Sequence, residues 1–279
     1  MNSIGFFRNP ENVHALRERV PSEHSIKALS HSLYSSVKKA SSGLSECAVL
    51  FSGGLDSSVI AFLLRLFVPR IELYCAGVKG SRSMKRARAN AELLGLQLSE
   101  TIIKKEELPE VVDRVRGIIG SSDALQVEIS VPEFAALEAV KKSSVQWVFS
   151  GTGADELFCG YAEFASVLEE KGYPGVEALC WKKLETMFER NLKRELALAR
   201  YFSLKAAMPF LEEQFMLQAM SFPAREKILS PRDLLRKQPL RELARSLGLP
   251  EIICSERKRA IQYDSGVSRE VRRILSREH

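Results

Sequence analysis

The chain has 279 residues, 45% of them hydrophobic and 27% charged, with a formal net charge of +6. This is the profile of a globular protein with one substantial core, and it excludes a disordered, fibrous or disulfide-stapled chain. The longest apolar runs, such as residues 60–64, are far short of a membrane span, and residues 1–10 lack the basic start and apolar stretch of a secretory signal. A cytoplasmic location and no membrane partner are expected. Five dispersed cysteines (Cys47, Cys75, Cys159, Cys180, Cys254) form no CxxC pair and predict reduced thiols, mostly in the core. His14, His24, His31 and His279 lie near the chain ends, away from every motif below, which argues against a His-based triad or metal site. The basic excess at residues 82–88 and 257–277 is read as solvated helix faces that also steer anions.

In chain order, residues 22–40 carry Ile26, Leu29, Leu33 and Val37 at helical spacing, closed by Ser41-Ser42-Gly43. Residues 47–51 are continuously apolar and end at a glycine pair, as a central parallel strand does. Residues 57–66 predict a helix whose first turn Asp56 and Ser57 are placed to cap. A strand (71–78), a helix (84–94, stopped by Gly95) and an edge strand (97–103) follow. Helices at 106–119 and 132–142 precede a further buried strand at 146–149. Such alternation implies a parallel sheet with helices on both faces. Beyond Tyr161 the signals turn helical, over 162–204, 214–220, 231–235 and 239–247. The organisation expected is an N-terminal helical extension (1–45) and one domain (46–279), divided into an α/β core (46–161) and a mostly helical part (162–279).

Two loops sit at strand ends, where open parallel sheets bind ligands. The first is Ser52-Gly53-Gly54-Leu55-Asp56-Ser57-Ser58. Its glycines let the backbone approach an anion, its N–H groups and helix N-terminus form a nest, and its serines add donors. It lacks the GxxxxGK[ST] pattern of a Walker loop. A carboxylate such as Asp56 among phosphates needs a cation between them, which implies Mg²⁺. The alternative is a Gly-Gly turn with an ordinary cap; the strand before and helix after favour phosphate. The second loop, Ser150-Gly151-Thr152-Gly153-Ala154-Asp155-Glu156, continues to Gly160-Tyr161 and suits nucleotide and metal. Alone it equally suits a flexible turn.

Together the two motifs resemble the synthetase domain of asparagine synthetases. Ala76-Gly77-Val78-Lys79-Gly80-Ser81, Met208-Pro209-Phe210-Leu211 and Lys237-Gln238-Pro239-Leu240-Arg241 agree in order, so the resemblance covers about residues 47–267. The closing stretch 257–266 looks most like the stand-alone archaeal branch, itself similar to the C-terminal region of the eukaryotic asparagine-synthetase-domain-containing protein. The resemblance implies an α/β fold of the pyrophosphatase-loop, adenine nucleotide α-hydrolase-like type, a parallel twisted sheet flanked by helices, with a helical C-terminal region. It implies a carbon–nitrogen ligase that adenylates a carboxylate, aspartate by family default, releases pyrophosphate and lets ammonia or an amine attack. Phe51, Ser52, Gly53, Gly54, Asp56, Ser57, Ser58, Ala76, Ser150 and Gly151 would hold ATP. Asp56 and Asp155 would hold Mg²⁺, and Lys258 would steady the adenylation transition state, with Asp155 as its catalytic companion.

Several positions depart from the family pattern. Asn2 stands where full synthetases carry the glutaminase cysteine, so ammonia from solution or from a separate protein is expected. Thr152 replaces a glutamate between the glycines, Lys205-Ala206-Ala207 replaces Glu-x-Arg, Glu195-Leu196 replaces two aspartates, and Glu212 replaces an aspartate. The ATP half is intact and the acceptor half altered. Two other readings stay open: a tRNA-modifying pyrophosphatase-loop enzyme, whose thiolating members use paired cysteines absent from this chain and whose lysine- or agmatine-ligating members the Ser150–Tyr161 loop argues against, and a non-catalytic ATP-binding relative.

Overall fold

The computed structural model of the protein describes residues 3–257 and 264–276. From the N-terminus the elements are α1 (Ser3–Phe6), α2 (Pro10–Glu18), α3 (Ile26–Ala40), β1 (Glu46–Leu50), α4 (Leu55–Leu64), β2 (Arg70–Gly77), α5 (Arg82–Leu94) and β3 (Gln97–Ile102). Next come α6 (Leu108–Ile119), α7 (Ala124–Lys141), β4 (Trp147–Phe149), α8 (Ala154–Leu157), α9 (Ala162–Glu185), α10 (Lys193–Tyr201) and β5 (Lys205–Ala207). The last are α11 (Glu213–Ser221), α12 (Ala224–Lys227), α13 (Gln238–Ser246), α14 (Glu251–Cys254) and α15 (Ser268–Leu275). They sort into two compact units: an α/β unit of Gly43–Ser150, Asn191–Ala207 and the described part of Arg259–His279, and a helical unit of Met1–Ser42, Gly151–Arg190 and Met208–Lys258.

In the α/β unit the five strands pair in the order β3-β2-β1-β4-β5, and every pairing is parallel. The parallel sheet flanked by helices is the one the alternation predicts. Cys47, Ala48 and Val49 of β1 have no exposed surface, as a strand covered on both faces requires. β3, with no fully buried residue, is an edge strand as expected. After β1 the chain builds β2 and β3 on one side, then β4 and β5 on the other. β1 and β4 therefore flank the point where the winding reverses. Val127, Val131, Phe134 and Leu137 of α7 and Leu108, Val112 and Val115 of α6 share one core with the sheet residues Ala48, Tyr74 and Val148.

Three sequence expectations need correction. α7 starts eight residues before Pro132 (132 − 124 = 8), because the Asp123 carboxylate accepts the Gln126 N–H at 2.9 Å and sets the helix start there. Pro132 then lies inside the helix rather than opening it. Residues 231–235 form turns, not a helix: Asp233 accepts N–H bonds from Leu229, Leu235 and Arg236, a local competitor of helix formation. β5 has only three residues and no apolar run, so no pattern announces it.

The helical unit packs α3 against α11 and α13, and the Ser36 hydroxyl donates to the Pro209 carbonyl at 2.6 Å. All five cysteines are free and buried, as their spacing predicts. Among the described residues no helix is long and apolar enough to cross a membrane.

Two buried ionic clusters tie α7 to its neighbours. Glu128, fully buried, accepts from Ser268 at 2.5 Å and pairs with Arg272 of α15. Arg194 of α10 reaches Gln126 at 3.1 Å, Glu195 at 3.3 Å and Glu133 at 3.8 Å. Burial, reinforced by the nearby Glu195 charge and opposed by Arg194, pushes the Glu133 carboxyl up to about 8. A folded-state value above the ordinary 4.5 means that the native state holds a proton the unfolded chain releases. The resulting stabilisation is present below about 4.5 and is lost as pH rises through about 8. Urea-unfolding midpoints should therefore fall between weakly acidic and weakly alkaline pH, and Glu133→Gln, uncharged throughout, should flatten that decline. An unchanged slope in the variant would reassign the effect to another group.

Candidate functional site

The loop after β1 lies in the α/β unit. Its first residue, Phe51, continues the β1–β2 ladder, donating to the Tyr74 carbonyl at 2.8 Å. Gly53 takes φ +71, and a Cβ there would stand 2.6 Å from the Ala87 nitrogen and 2.8 Å from the Ala87 Cα of α5. Only glycine lets the α5 backbone pass this close. Two side chains of α5 hold the loop: Arg86 Nε donates to the Ser52 carbonyl at 3.1 Å and Asn90 Nδ2 to the Gly53 carbonyl at 2.6 Å. Arg86 Nη1 pairs with Asp264 at 2.8 Å, with both side chains nearly buried, at 11% and 6% exposure.

α4 begins directly after the loop with Gly54 as its N-cap and no side-chain cap bond. Asp56 and Ser57 thus lie in its first turn rather than capping it, a correction to the expectation. The Ser57 hydroxyl donates to the Gly54 carbonyl at 3.2 Å, and Ser52 Oγ stands 3.5 Å from Ser57 Oγ. Ser52, Gly54 and Asp56 reach solvent, whereas Phe51, Gly53, Ser57 and Ser58 are buried. The Ser58 hydroxyl is fully enclosed and has no hydrogen-bond partner among the described residues.

Ala48 pairs with Val148 and Val49 with Phe149, so the chain leaves β1 and β4 side by side at the carboxyl edge of the sheet. Ser150, buried, carries on the β4–β5 ladder by donating to the Ala207 carbonyl at 3.1 Å. Ala76, also buried, lies near the carboxyl end of neighbouring β2. The structure therefore brings Phe51, Ser52, Ala76 and Ser150 to strand ends of one sheet edge.

From Gly151 the chain belongs to the helical unit. Gly153 takes φ +103, where a Cβ would meet Leu211 Cδ2 at 2.4 Å. Asp155, in the first turn of α8, is ion-paired with Lys237 Nζ at 2.6 Å. Lys237 is 1% exposed and left-handed, with φ 55. A Cβ on Gly160 would lie 1.9 Å from Asp155 Oδ1 and 2.3 Å from Lys237 Cε, so this glycine makes room for the pair. Arg236 Nε holds the Gly160 carbonyl at 3.1 Å. The neighbouring Glu156 is buried and accepts from the Tyr161 hydroxyl at 2.5 Å; burial first, and Asp155 second, push its carboxyl above the ordinary range.

Lys258 lies outside the described residues. Arg86, Asn90, Asp264 and Lys237 escaped the sequence reading as site residues. Arg86 sits in the run read as a solvated face, and on that run Arg82, Lys85 and Arg88 are indeed exposed. Among the described residues no three His, Cys, Asp or Glu side chains gather as a metal cage.

A parallel sheet with a glycine-rich loop at its winding reversal is the architecture of a nucleotide-handling α/β protein. The sequence matches the asparagine synthase family model over residues 28–174 and 163–278, and the chain belongs to that family. It is 30% identical, over 91% of its length, to a provisionally named asparagine synthetase (glutamine-hydrolyzing) 1 of Methanocaldococcus jannaschii, of which the match covers 52%. It is 28% identical over 66% of its length to asparagine synthetase (glutamine-hydrolyzing) 1 of Arabidopsis thaliana, covering 33% of that protein. The chain thus spans about half or less of the relatives it matches. A solved structure of NMN synthetase from Francisella tularensis aligns over 92% of this chain and 95% of that one, with 13% identity and a TM-score of 0.45.

The glycines separate by what surrounds them. Gly160→Ala, placed against the Asp155–Lys237 pair, should lower stability by about 1–3 kcal/mol by overpacking. Gly117→Ala, inside α6 with nothing within 4 Å, should raise it by about 0.5–1 kcal/mol. Thermal unfolding of both variants checks the contrast; equal shifts would contradict it.

Proposed function

We propose that the chain is a Mg²⁺- and ATP-dependent carbon–nitrogen ligase that cleaves ATP to AMP and pyrophosphate. It activates a carboxylate, aspartate by family default, for attack by ammonia or an amine. The observation that carries this reading is the Ser52–Ser58 loop, seated where the winding of a parallel sheet reverses. The names of the relatives, all asparagine synthetases, agree with it.

The residues divide the work by chemistry. Phe51, Ala76, Ser150 and Gly151 hold the nucleoside end, with backbone and hydroxyl groups. Ser52, Gly53, Gly54, Ser57 and Ser58 receive the phosphates, and the absence of a Walker lysine favours cleavage between the α- and β-phosphates. By family resemblance Asp56 and Asp155 are the metal carboxylates, hard oxygen donors of the kind Mg²⁺ takes; Asp56 reaches solvent, and the Asp155 side chain is 16% exposed. The ion supplies charge neutralisation on the departing pyrophosphate. Lys237 fixes one oxygen of Asp155, and by family resemblance Lys258 would steady the adenylation transition state.

Incubating the purified chain with ATP, Mg²⁺, ammonium and a panel of carboxylates should yield AMP and pyrophosphate, and labelled pyrophosphate should exchange into ATP with the correct acid alone. ADP as the sole nucleotide product would overturn the reading. Asp56→Asn should lower the exchange rate by a factor on the order of 10² or more and weaken its Mg²⁺ dependence, by loss of several kcal/mol of charge stabilisation. Parent-like exchange in that variant would remove Asp56 from the metal site.

A further inference from the structure

The Ser52 and Gly53 carbonyls both point at α5, held there by Arg86 Nε at 3.1 Å and Asn90 Nδ2 at 2.6 Å. No described peptide bond is cis, and in a planar trans peptide the N–H points opposite to the C=O. Fixing those two carbonyls therefore turns the Gly53 and Gly54 N–H groups away from α5. Two successive N–H groups on one side of a turn, next to a helix start with no side-chain cap, make an anion nest. Gly54 N–H meets the Ser52 hydroxyl at a long 3.3 Å, a contact a stronger acceptor can displace.

Arg86 itself is held from behind. Asp264 binds its Nη1 at 2.8 Å. The residues after Asp264 are seated on the end of β2: the Ser265 carbonyl accepts the Val78 N–H at 2.9 Å, and Gly266 takes φ +79 against Val78. A Cβ on Gly77 would stand 3.1 Å from that same carbonyl. A cation near the loop is thus committed to a carboxylate and a carbonyl rather than presented to solvent.

We infer that Arg86 and Asn90, with Asp264 behind Arg86, are positioning residues that aim the Gly53 and Gly54 N–H groups at the β- and γ-phosphates, or at free pyrophosphate. They do not touch the ligand. This rests on the proposed ATP reading and adds residues that reading does not contain.

The test measures binding of inorganic pyrophosphate and of AMP, each with Mg²⁺, by titration calorimetry, with thermal unfolding to confirm folding. Asn90→Ala should weaken pyrophosphate binding about tenfold, the effect of one hydrogen bond to an ordered loop, and leave AMP binding unchanged. Asp264→Asn should also weaken pyrophosphate binding, because Arg86 loses its anchor. Stronger pyrophosphate binding in Asp264→Asn would overturn the inference and make Arg86 a direct phosphate ligand. Parent-like pyrophosphate binding in folded Asn90→Ala, or equal loss of pyrophosphate and AMP, would also overturn it. Where Asn90→Ala does not fold, Arg86→Lys decides on the same criteria, since a single ammonium cannot reproduce the guanidinium fork. A parent chain that binds neither pyrophosphate nor ATP would sink the ATP reading instead.

Discussion

The carbonyls of Ser52 and Gly53 are turned into helix α5, and the candidate site depends on that single orientation. β1 delivers the chain to the sheet edge, but a strand end by itself leaves the next peptides free to face either way. The two side-chain bonds from Arg86 and Asn90 remove that freedom. They can do so only because α5 lies against the loop, and it lies there only because Gly53 offers no Cβ to the Ala87 backbone. Strand, glycine and helix are thus one construction, in which packing decides which polar groups the loop shows.

The family departures have structural uses here. Lys205-Ala206-Ala207 forms β5, which pairs with Trp147, Val148 and Phe149 of β4, and the Ala207 carbonyl accepts the Ser150 N–H. Glu212 caps α11, accepting the Gln214 N–H at 2.8 Å, and pairs with Lys39. Glu195 shares the Arg194 guanidinium with Glu133. Side chains engaged in a cap or a buried ion cluster are committed to the fold. In the Ser52–Ser58 loop, by contrast, the contacts of Ser52 and Ser57 are local, Ser57 to Gly54 and Ser52 beside Ser57.

Much of the α/β architecture was legible, because its signals are local. Apolar runs mark β1 and β4, the glycine stop at Gly95 marks the end of α5, and the weaker pattern of 97–103 marks the edge strand, observed as Gln97–Ile102. What was hidden depends on partners distant in sequence. Asp123 starting α7 ahead of Pro132 and Asp233 replacing a helix by turns are side-chain bonds that periodicity does not register. Arg86 looked like its neighbours in a basic run, and only the fold, by bringing Asp264 within 2.8 Å, separates it from the solvated arginines around it. Lys237 was visible as part of a family segment, while its pairing with Asp155 required chain closure across about eighty residues.

The glycines of the two loops carry a further lesson about motif reading. A Gly-Gly pair beside serines invites the inference that the backbone must approach a ligand. Yet Gly53, Gly153 and Gly160 are each required by protein atoms: the α5 backbone, Leu211, and the Asp155–Lys237 pair. Gly54 alone among these four faces only the Ser52 hydroxyl, at 3.3 Å, and has its nitrogen on the side away from α5. The glycine-rich character of these loops thus reflects tight assembly first and ligand approach second. What distinguishes the Ser52–Ser58 loop is therefore the direction in which its N–H groups are held, not its glycine content.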